Sequence, residues 1–377
     1  VITTTPPSRI RVTQDMTAAW RHIDLSLIVL VLVTSAYGAV LVYSTSRHGS
    51  DPNLVLRQIV FIALGVVAMA ATAAVDYRRL RDWSRWIYPA MLLVLVGVLI
   101  PGVGSVHKNI RAWYSFGEVQ IQPAEFAKVG LIVVLASFLG SLGAEIRLRH
   151  ALVCLTLTAI PMGLILLQPD LGTALVFVVI VVGMLVVAGL PLRHLVALVV
   201  VGVVAIAGIL SSDALDDYQR DRLTAFVSPD TASAKAIYNT RQAQNAIASG
   251  GLTGQGLFEG PQTTGRFVPE QQTDFIFTVA GEELGFVGSA LLLALFGAIL
   301  WRIWRAAHLA ADETGRLMCV GVFCMIAFHI FENVGMNLGI MPVTGIPLPL
   351  VSYGGSSMLT TYMAVGLALN VHMRRFS

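Results

Sequence analysis

The chain is poor in charge. Only 12% of its 377 residues are Asp, Glu, Lys or Arg, about half the ~25% share of a soluble domain. That excludes an ordinary water-soluble globule. The net charge of +3 is also too small to argue for a nucleic-acid partner. Cysteine is scarce: Cys154, Cys319 and Cys324 all lie inside apolar runs. They fit small core residues and supply neither a disulfide framework nor a metal-binding set. No short-period internal repeat is visible. The first 22 residues are polar, and the apolar run after them is full length without a small-residue cleavage site. It reads as a retained first span, not a removed signal peptide.

What fills the chain is apolar surface: 56% of residues are hydrophobic and the mean hydropathy is +0.75. A membrane span needs roughly 20 mostly apolar residues. Ten such runs are found, at 23–43, 54–74, 86–101, 124–140, 150–167, 172–188, 194–210, 275–300, 315–338 and 350–372. The third is short and ends at Pro101-Gly102. The fold class is therefore all-α, a polytopic integral membrane protein with ten transmembrane helices. Residues 1–22 form a tail, and 23–377 form a single domain interrupted by one large loop at 211–273.

Lys and Arg set the orientation. With the N-terminus inside, fifteen arginines fall on the inner side, at 9–21, 78–85, 147–149, 193, 302–316 and 374–375. The short outer connections hold four cations, Arg47, Arg57, Lys108 and Arg111. Both termini are thus expected in the cytoplasm and the 211–273 loop outside. A loop of that length is expected to be functional or to carry helices of its own, and 221–227 and 232–248 have helix-compatible patterns.

Acids at or within spans are costly unless they have a task or a partner. Asp274 follows the polar stretch that ends at Thr273 and opens span eight. It reads either as a helix N-cap or as a partly desolvated carboxylate able to act as a base, and the two readings are compatible. Glu282 and Glu283 follow eight and nine residues later. In a continuous helix they lie ~12–13 Å below Asp274, where they are expected to be structural hydrogen-bonding acids. Glu125 and Lys128 share one face of span four and form either an internal ion pair or a substrate site. Asp170, in QPDLGT, is a candidate partner for Lys128. Arg111 sits among interfacial aromatics. Arg222, Gln242, Gln262 and Glu270 decorate the long loop. His329 and Glu332, with Asn333 and Asn337, are too few for a metal site and suit interhelical hydrogen bonds. Residues 337–358, rich in Pro, Gly and Ser, cannot form a regular helix. Such backbone survives at membrane depth only inside protein or beside a polar cavity, so the stretch marks a substrate cavity or a partner's docking surface.

Four motifs, in order across spans four to ten, carry a resemblance: IQPAEFAK (121–128), QPDLGT (168–173), SGGLTGQGLFEGPQTTGRFVPEQQTDFIFTVAGEELGFVG (249–288) and MNLGIMPVTGIPLPLVSYGGSSML (336–359). The chain resembles the SEDS family (shape, elongation, division and sporulation proteins). GPQTTGRF is more similar to its RodA branch than to its FtsW branch. Ala124 stands where the family usually has Ser. The resemblance implies a peptidoglycan glycosyltransferase in a bacterial cytoplasmic membrane. It would polymerise lipid II on the outer side, releasing undecaprenyl pyrophosphate, with a class B penicillin-binding protein as partner. It places Asp274 at the family's essential aspartate. Glu125, Lys128, Asp170, Arg222, Gln242, Gln262 and Glu270 match family positions, and Arg111 joins them as a candidate for substrate binding. Arg111, Lys128, Arg222 or a divalent cation (Mg or Mn) would neutralise the leaving pyrophosphate. The alternatives are a division-type polymerase role, a lipid II flippase, and a non-catalytic scaffold.

Overall fold

In the computed structural model the described residues are 20–47, 53–107, 110–117, 119–143, 146–198 and 234–376, with isolated residues 200, 202 and 226. They form helices α1 (Leu25–Arg47), α2 (Leu54–Ala74), α3 (Tyr77–Leu99), α4 (Pro123–Gly140), α5 (Leu148–Leu166), α6 (Leu171–Val187), α7 (Ala234–Gly250), α8 (Pro261–Thr264), α9 (Ile276–Glu283), α10 (Gly285–His308), α11 (Glu313–Leu338) and α12 (Gly355–Met373). Among the described residues, seven helices are long and apolar enough to cross a membrane, and α6 is a shorter apolar one. The seventh expected span begins as a helix at 192–198, and most of the rest of it lies outside the described residues, as does the expected helix at 221–227 save Phe226. The loop helix expected at 232–248 is α7.

Local chemistry sets the ends. Asp76 caps α3 by accepting from the Arg78 amide at 2.9 Å, so α3 starts nine residues before the short apolar run at 86–101 and reaches full spanning length. Asp312 caps α11 through the Gly315 amide at 2.7 Å. Left-handed Gly339 ends α11.

Burial ranks the helices. Within their apolar windows α4 is 78% and α11 67% buried, against 17% for α2 and for α3. The first two form the centre of the bundle, and the last two face outward with exposed side chains such as Leu56, Val67 and Leu93. Such a surface suits lipid and not water. The polar groups of α4 and α11 are therefore the ones the fold must satisfy internally.

One end of the bundle is held by arginines. Arg302 grips Asp24 with a two-pronged ion pair at 2.5 and 2.8 Å. Arg374 lies 3.5 Å from Asp76 and donates to the Ala73 and Ala74 carbonyls and to Asn370. Burial lowers the proton affinity of Arg374, and the facing Asp76 carboxylate raises it.

The other end carries an element absent from the sequence-based expectation. A small antiparallel sheet follows α3, with β1 (Ser105–His107), β2 (Ile110–Phe116) and β3 (Val119–Ile121) in that order. Ser105 pairs with Trp113 and Tyr114 with Ile121. The Tyr114 hydroxyl donates to the Val94 carbonyl at 2.8 Å, which clamps the sheet to α3.

Span eight is not continuous. Its helix breaks at Leu284, and Gly285 turns the chain with φ +64. A Cβ on Gly285 would sit 2.3 Å from the Gly254 amide nitrogen, so only glycine lets the 251–256 loop pack into the break. Glu283 accepts from Ser44 at 2.5 Å, and Ser44 lies three residues from the end of α1. Glu283 is therefore held near the end of α1 that follows Ser44, and Glu282 and Glu283 end α9 before the break instead of continuing one helix with α10.

Candidate active site

At the arginine-poor end lies a cavity of about 590 Å³, within the size range of small-molecule sites. Its walls come from the start of α2 (Arg57, Phe61), the sheet (Ala112, Trp113, Gln120), the head of α4 (Gln122, Glu125), the α5–α6 turn (Gln168, Pro169, Asp170), the α9 approach (Glu270, Thr273, Asp274) and the irregular segment with the head of α12 (Thr344, Gly345, Pro347, Tyr353 to Ser357).

Asp274 does not cap its helix. Phe275 is the N-cap of α9, with no side-chain capping bond. The main chain of Asp274 is instead fixed on both sides. Its amide donates to the Glu270 carbonyl at 3.1 Å. Its carbonyl accepts from the side-chain amides of Asn333 at 2.8 Å and Asn337 at 3.2 Å. Glu270 turns the chain with φ +52, and its carbonyl also accepts from the Thr273 amide. A non-glycine residue in that conformation costs of order 1–3 kcal/mol and persists where neighbours enforce it. Ser352 Oγ donates to the Thr273 carbonyl at 2.5 Å, and the Tyr353 amide donates to the Gln272 carbonyl at 2.8 Å. The irregular 342–354 backbone is thus stitched to the Asp274 segment, and its polar groups are met inside the protein as membrane depth requires. Of the two readings of this stretch, the cavity wall is the one observed.

Glu125 and Lys128 are an ion pair at 2.7 Å, both buried. Lys128 Nζ also lies 2.9 Å from His329 Nε2, while His329 Nδ1 lies 2.6 Å from the Met325 carbonyl. A carbonyl can only accept, so Nδ1 carries the proton and Nε2 accepts from the ammonium. Glu125 reaches the cavity, and Lys128 lies behind it. Asp170 does not pair with Lys128. It caps α6 through the Thr173 amide and hydroxyl, each at 2.9 Å, and accepts from Gln122 Nε2 at 3.0 Å.

Several expected site residues stand elsewhere. Arg111 is outside the cavity wall, its guanidinium donating to the Leu99 carbonyl at the end of α3 at 3.3 Å. Gln242 lies half-buried on α7, outside the wall. The main-chain amide of Gln262 donates to Glu282 at 2.6 Å. Arg222 lies outside the described residues. Glu282 and Glu283 accept hydrogen bonds from the loop, in the structural role expected of them. Glu282 accepts from the Thr263 amide and hydroxyl, and Glu283 from the Phe258 amide at 3.1 Å. Sequence reasoning missed Arg57 and Gln168 as wall residues. Arg57 was legible only as an outer-side cation, and Gln168 only as part of a tight turn. Among the described residues no three His, Cys, Asp or Glu side chains converge as metal ligands.

The arrangement brings four carboxylate residues, Glu125, Asp170, Glu270 and Asp274, and one arginine, Arg57, to the wall of one cavity, with the main chain of Asp274 held on both sides. A profile of the FTSW_RODA_SPOVE family of cell cycle proteins matches residues 19–376. Stage V sporulation protein E of Bacillus subtilis is 38% identical over 92% of this chain and 96% of its own length. The peptidoglycan glycosyltransferase MrdB of Escherichia coli K12 is 36% identical over 94% of each chain. Among solved structures, a chain of a peptidoglycan synthase complex described as coordinating polymerization and crosslinking superposes with a TM-score of 0.81 at 35% identity, covering 94% of this chain and 99% of the other. The rod shape determining protein RodA of Thermus thermophilus superposes with a TM-score of 0.72 at 35% identity, covering 95% and 99%.

Proposed function

This chain belongs to the FTSW_RODA_SPOVE family, and from that premise we propose that its cavity joins lipid II disaccharides into glycan strands. The activity is that of a peptidoglycan glycosyltransferase, a multi-pass membrane enzyme. The observation that carries the assignment of its base is Asp274, a carboxylate residue on the cavity wall whose main chain is immobilised by Asn333 and Asn337. A general base needs that fixed position before it needs a particular pKa.

In the proposed step the GlcNAc 4-hydroxyl of one lipid II attacks C1 of the MurNAc of another. The new C–O bond forms as the bond from C1 to the phosphate oxygen breaks. The hydroxyl proton passes to Asp274, and the electron pair leaves on undecaprenyl pyrophosphate. The linkage changes from α to β, as a single inverting displacement requires. Inverting glycosidases add a second carboxylic acid for the leaving oxygen. Pyrophosphate leaves without protonation, so a cation suffices, and Arg57 lines the cavity. Glu125, Asp170 and Glu270 supply acceptors for sugar hydroxyls from the same walls.

The cavity is proposed to face the outside of a bacterial cytoplasmic membrane, with both termini inside, because the arginines gather at the opposite end. Rod-shape elongation is the proposed setting, supported by the GPQTTGRF segment and the likeness to RodA. A class B penicillin-binding protein is the proposed partner, supported by the likeness to a chain of a polymerising and crosslinking complex. The test is polymerisation of lipid II by the purified protein with that partner, comparing wild type with Asp274→Asn. Lipid II translocation with no glycan product would favour the flippase reading instead.

A further inference from the structure

The arginines at the end of the bundle opposite the cavity divide into two sets. Arg302, Arg316, Arg374 and Arg375 spend their guanidinium groups on carboxylates and carbonyls of the protein itself. Those on the exposed turns of α3 do not. Arg85 has no hydrogen bond or ion pair among the described residues, and its guanidinium lies 5.9 Å over the ring of Trp86. Arg81 has only its sequence neighbour Asp82, at 3.4 Å, with both side chains exposed, and an exposed pair of that kind holds its partners weakly. Trp83 and Trp86 beside them are 52% and 66% exposed.

Arg81, Arg85 and Tyr88 recur at i, i+4 and i+7 and share one face of α3. The Tyr88 hydroxyl donates to the Leu157 carbonyl of α5 at 3.1 Å, so that face borders α5. The two helices run the same way, α3 from Asp76 to the sheet and α5 to the cavity turn at Gln168. Counted back from the Tyr88–Leu157 contact, Arg81 lies ~10 Å and Arg149 ~12 Å nearer the arginine-rich end. Arg149 is exposed, and its guanidinium donates to His150 Nε2 at 3.0 Å. Arg81, Arg85 and Arg149 thus flank the α3–α5 seam within ~8 Å of bundle height. Further in, the seam turns aliphatic. Val96, on the Arg85 face about three turns on, is exposed, as are Val153 and Ile160 on α5.

The order along the seam, cations, then tryptophan, then aliphatic surface, is the order of groups along a phospholipid. Guanidinium groups pair with phosphate oxygens through charge-assisted bonds, and Trp suits the level where headgroup meets chain. A zwitterionic headgroup brings its own cation, which three arginines oppose. An anionic headgroup complements them, and basic pockets between helices at a membrane face take such headgroups. We propose that the α3–α5 seam binds an anionic phospholipid, with Arg81 and Arg85 on its phosphate from one side, Arg149 from the other, and its acyl chains along Val96, Val153 and Ile160. The site lies at the end away from the cavity and stands independently of the glycosyltransferase reading.

The test is native mass spectrometry of the full chain in neutral detergent, titrated with phosphatidylglycerol, phosphatidylcholine or glycerol 3-phosphate. Wild type is compared with a variant carrying Arg81→Gln and Arg85→Gln. A control carries Arg193→Gln and Arg305→Gln, which removes two exposed arginines elsewhere. An arginine near a membrane surface contributes about fivefold to affinity for anionic lipid. The α3 variant is therefore expected to retain phosphatidylglycerol about 25-fold more weakly, while wild type and control retain it alike. Phosphatidylcholine and glycerol 3-phosphate are expected to bind wild type more weakly than phosphatidylglycerol. Equal phosphatidylglycerol retention by wild type and the α3 variant overturns the proposal. An equal loss in the control also overturns it, because the attraction then belongs to net charge and not to the seam. Glycerol 3-phosphate bound as tightly as phosphatidylglycerol assigns the arginines to a soluble phosphate and overturns the lipid assignment. Should the α3 variant not fold, Arg85→Gln and Trp86→Leu taken singly carry the same comparison, and unchanged retention in both overturns the proposal.

Discussion

The side-chain amide of Asn333 donates to the main-chain carbonyl of Asp274 at 2.8 Å and to that of Ile346, also at 2.8 Å. One buried residue of α11 thus ties the aspartate segment to the proline-rich segment. Asn333→Asp keeps the shape and removes both donors. The Ile346 carbonyl then loses this donor, at about 1–3 kcal/mol, and the Asp274 carbonyl keeps only the Asn337 bond. The expected result is a lower Tm and a fall in kcat larger than any rise in KM, measured by thermal melting and by polymerisation kinetics. A variant with wild-type kcat shows that Asp274 does not depend on this tie.

Lys128, Glu125 and His329 make a second testable unit. Removing one partner of a buried ion pair leaves an uncompensated charge and costs about 3–5 kcal/mol, whereas removing both is far milder. Lys128→Met is expected to destabilise strongly, and Glu125→Gln combined with Lys128→Met to recover most of the loss, read by Tm in detergent. Additive losses in the double variant contradict the pairing.

The 258–264 segment is held by Glu282 and Glu283 through its amides. Glu282→Leu removes the acceptor for the Gln262 and Thr263 amides. Hydrogen exchange is expected to rise across 258–264 while α4 and α12 keep their protection. Unchanged exchange in 258–264 shows that the loop has other anchors sufficient to hold it.

Much of this was legible in the chain because bilayer thickness acts on sequence directly. Run length placed α1, α2, α4, α5, α6 and α11 to within a few residues of their ends or better. Asp274, Glu125, Asp170 and Glu270 were visible because acids near apolar runs are costly. What escaped depends on tertiary contact. The three short strands at 105–121 form against one another and are held by tertiary bonds, Tyr114 to Val94, Arg111 to Leu99 and Ser356 to Gln120. The break after Glu283 contains no proline, and it exists because the 251–256 loop packs onto Gly285. The third span looked short because its polar first turns carry no apolar signal. Arg111 was a candidate as a cation expected outside, able to neutralise a leaving pyrophosphate, yet its guanidinium donates to the Leu99 carbonyl.

The central claim is that Asp274 is the base of glycan polymerisation, and one measurement tests it most directly. Purified Asp274→Asn, shown by melting and by binding of its penicillin-binding-protein partner to be folded, is supplied with lipid II and that partner, and glycan product is followed beside wild type. General-base assistance contributes about 10²–10⁴-fold, so product formation is expected to fall by at least two orders of magnitude with Tm and partner binding preserved. Glycan synthesis at the wild-type rate by the folded Asn variant would contradict the account.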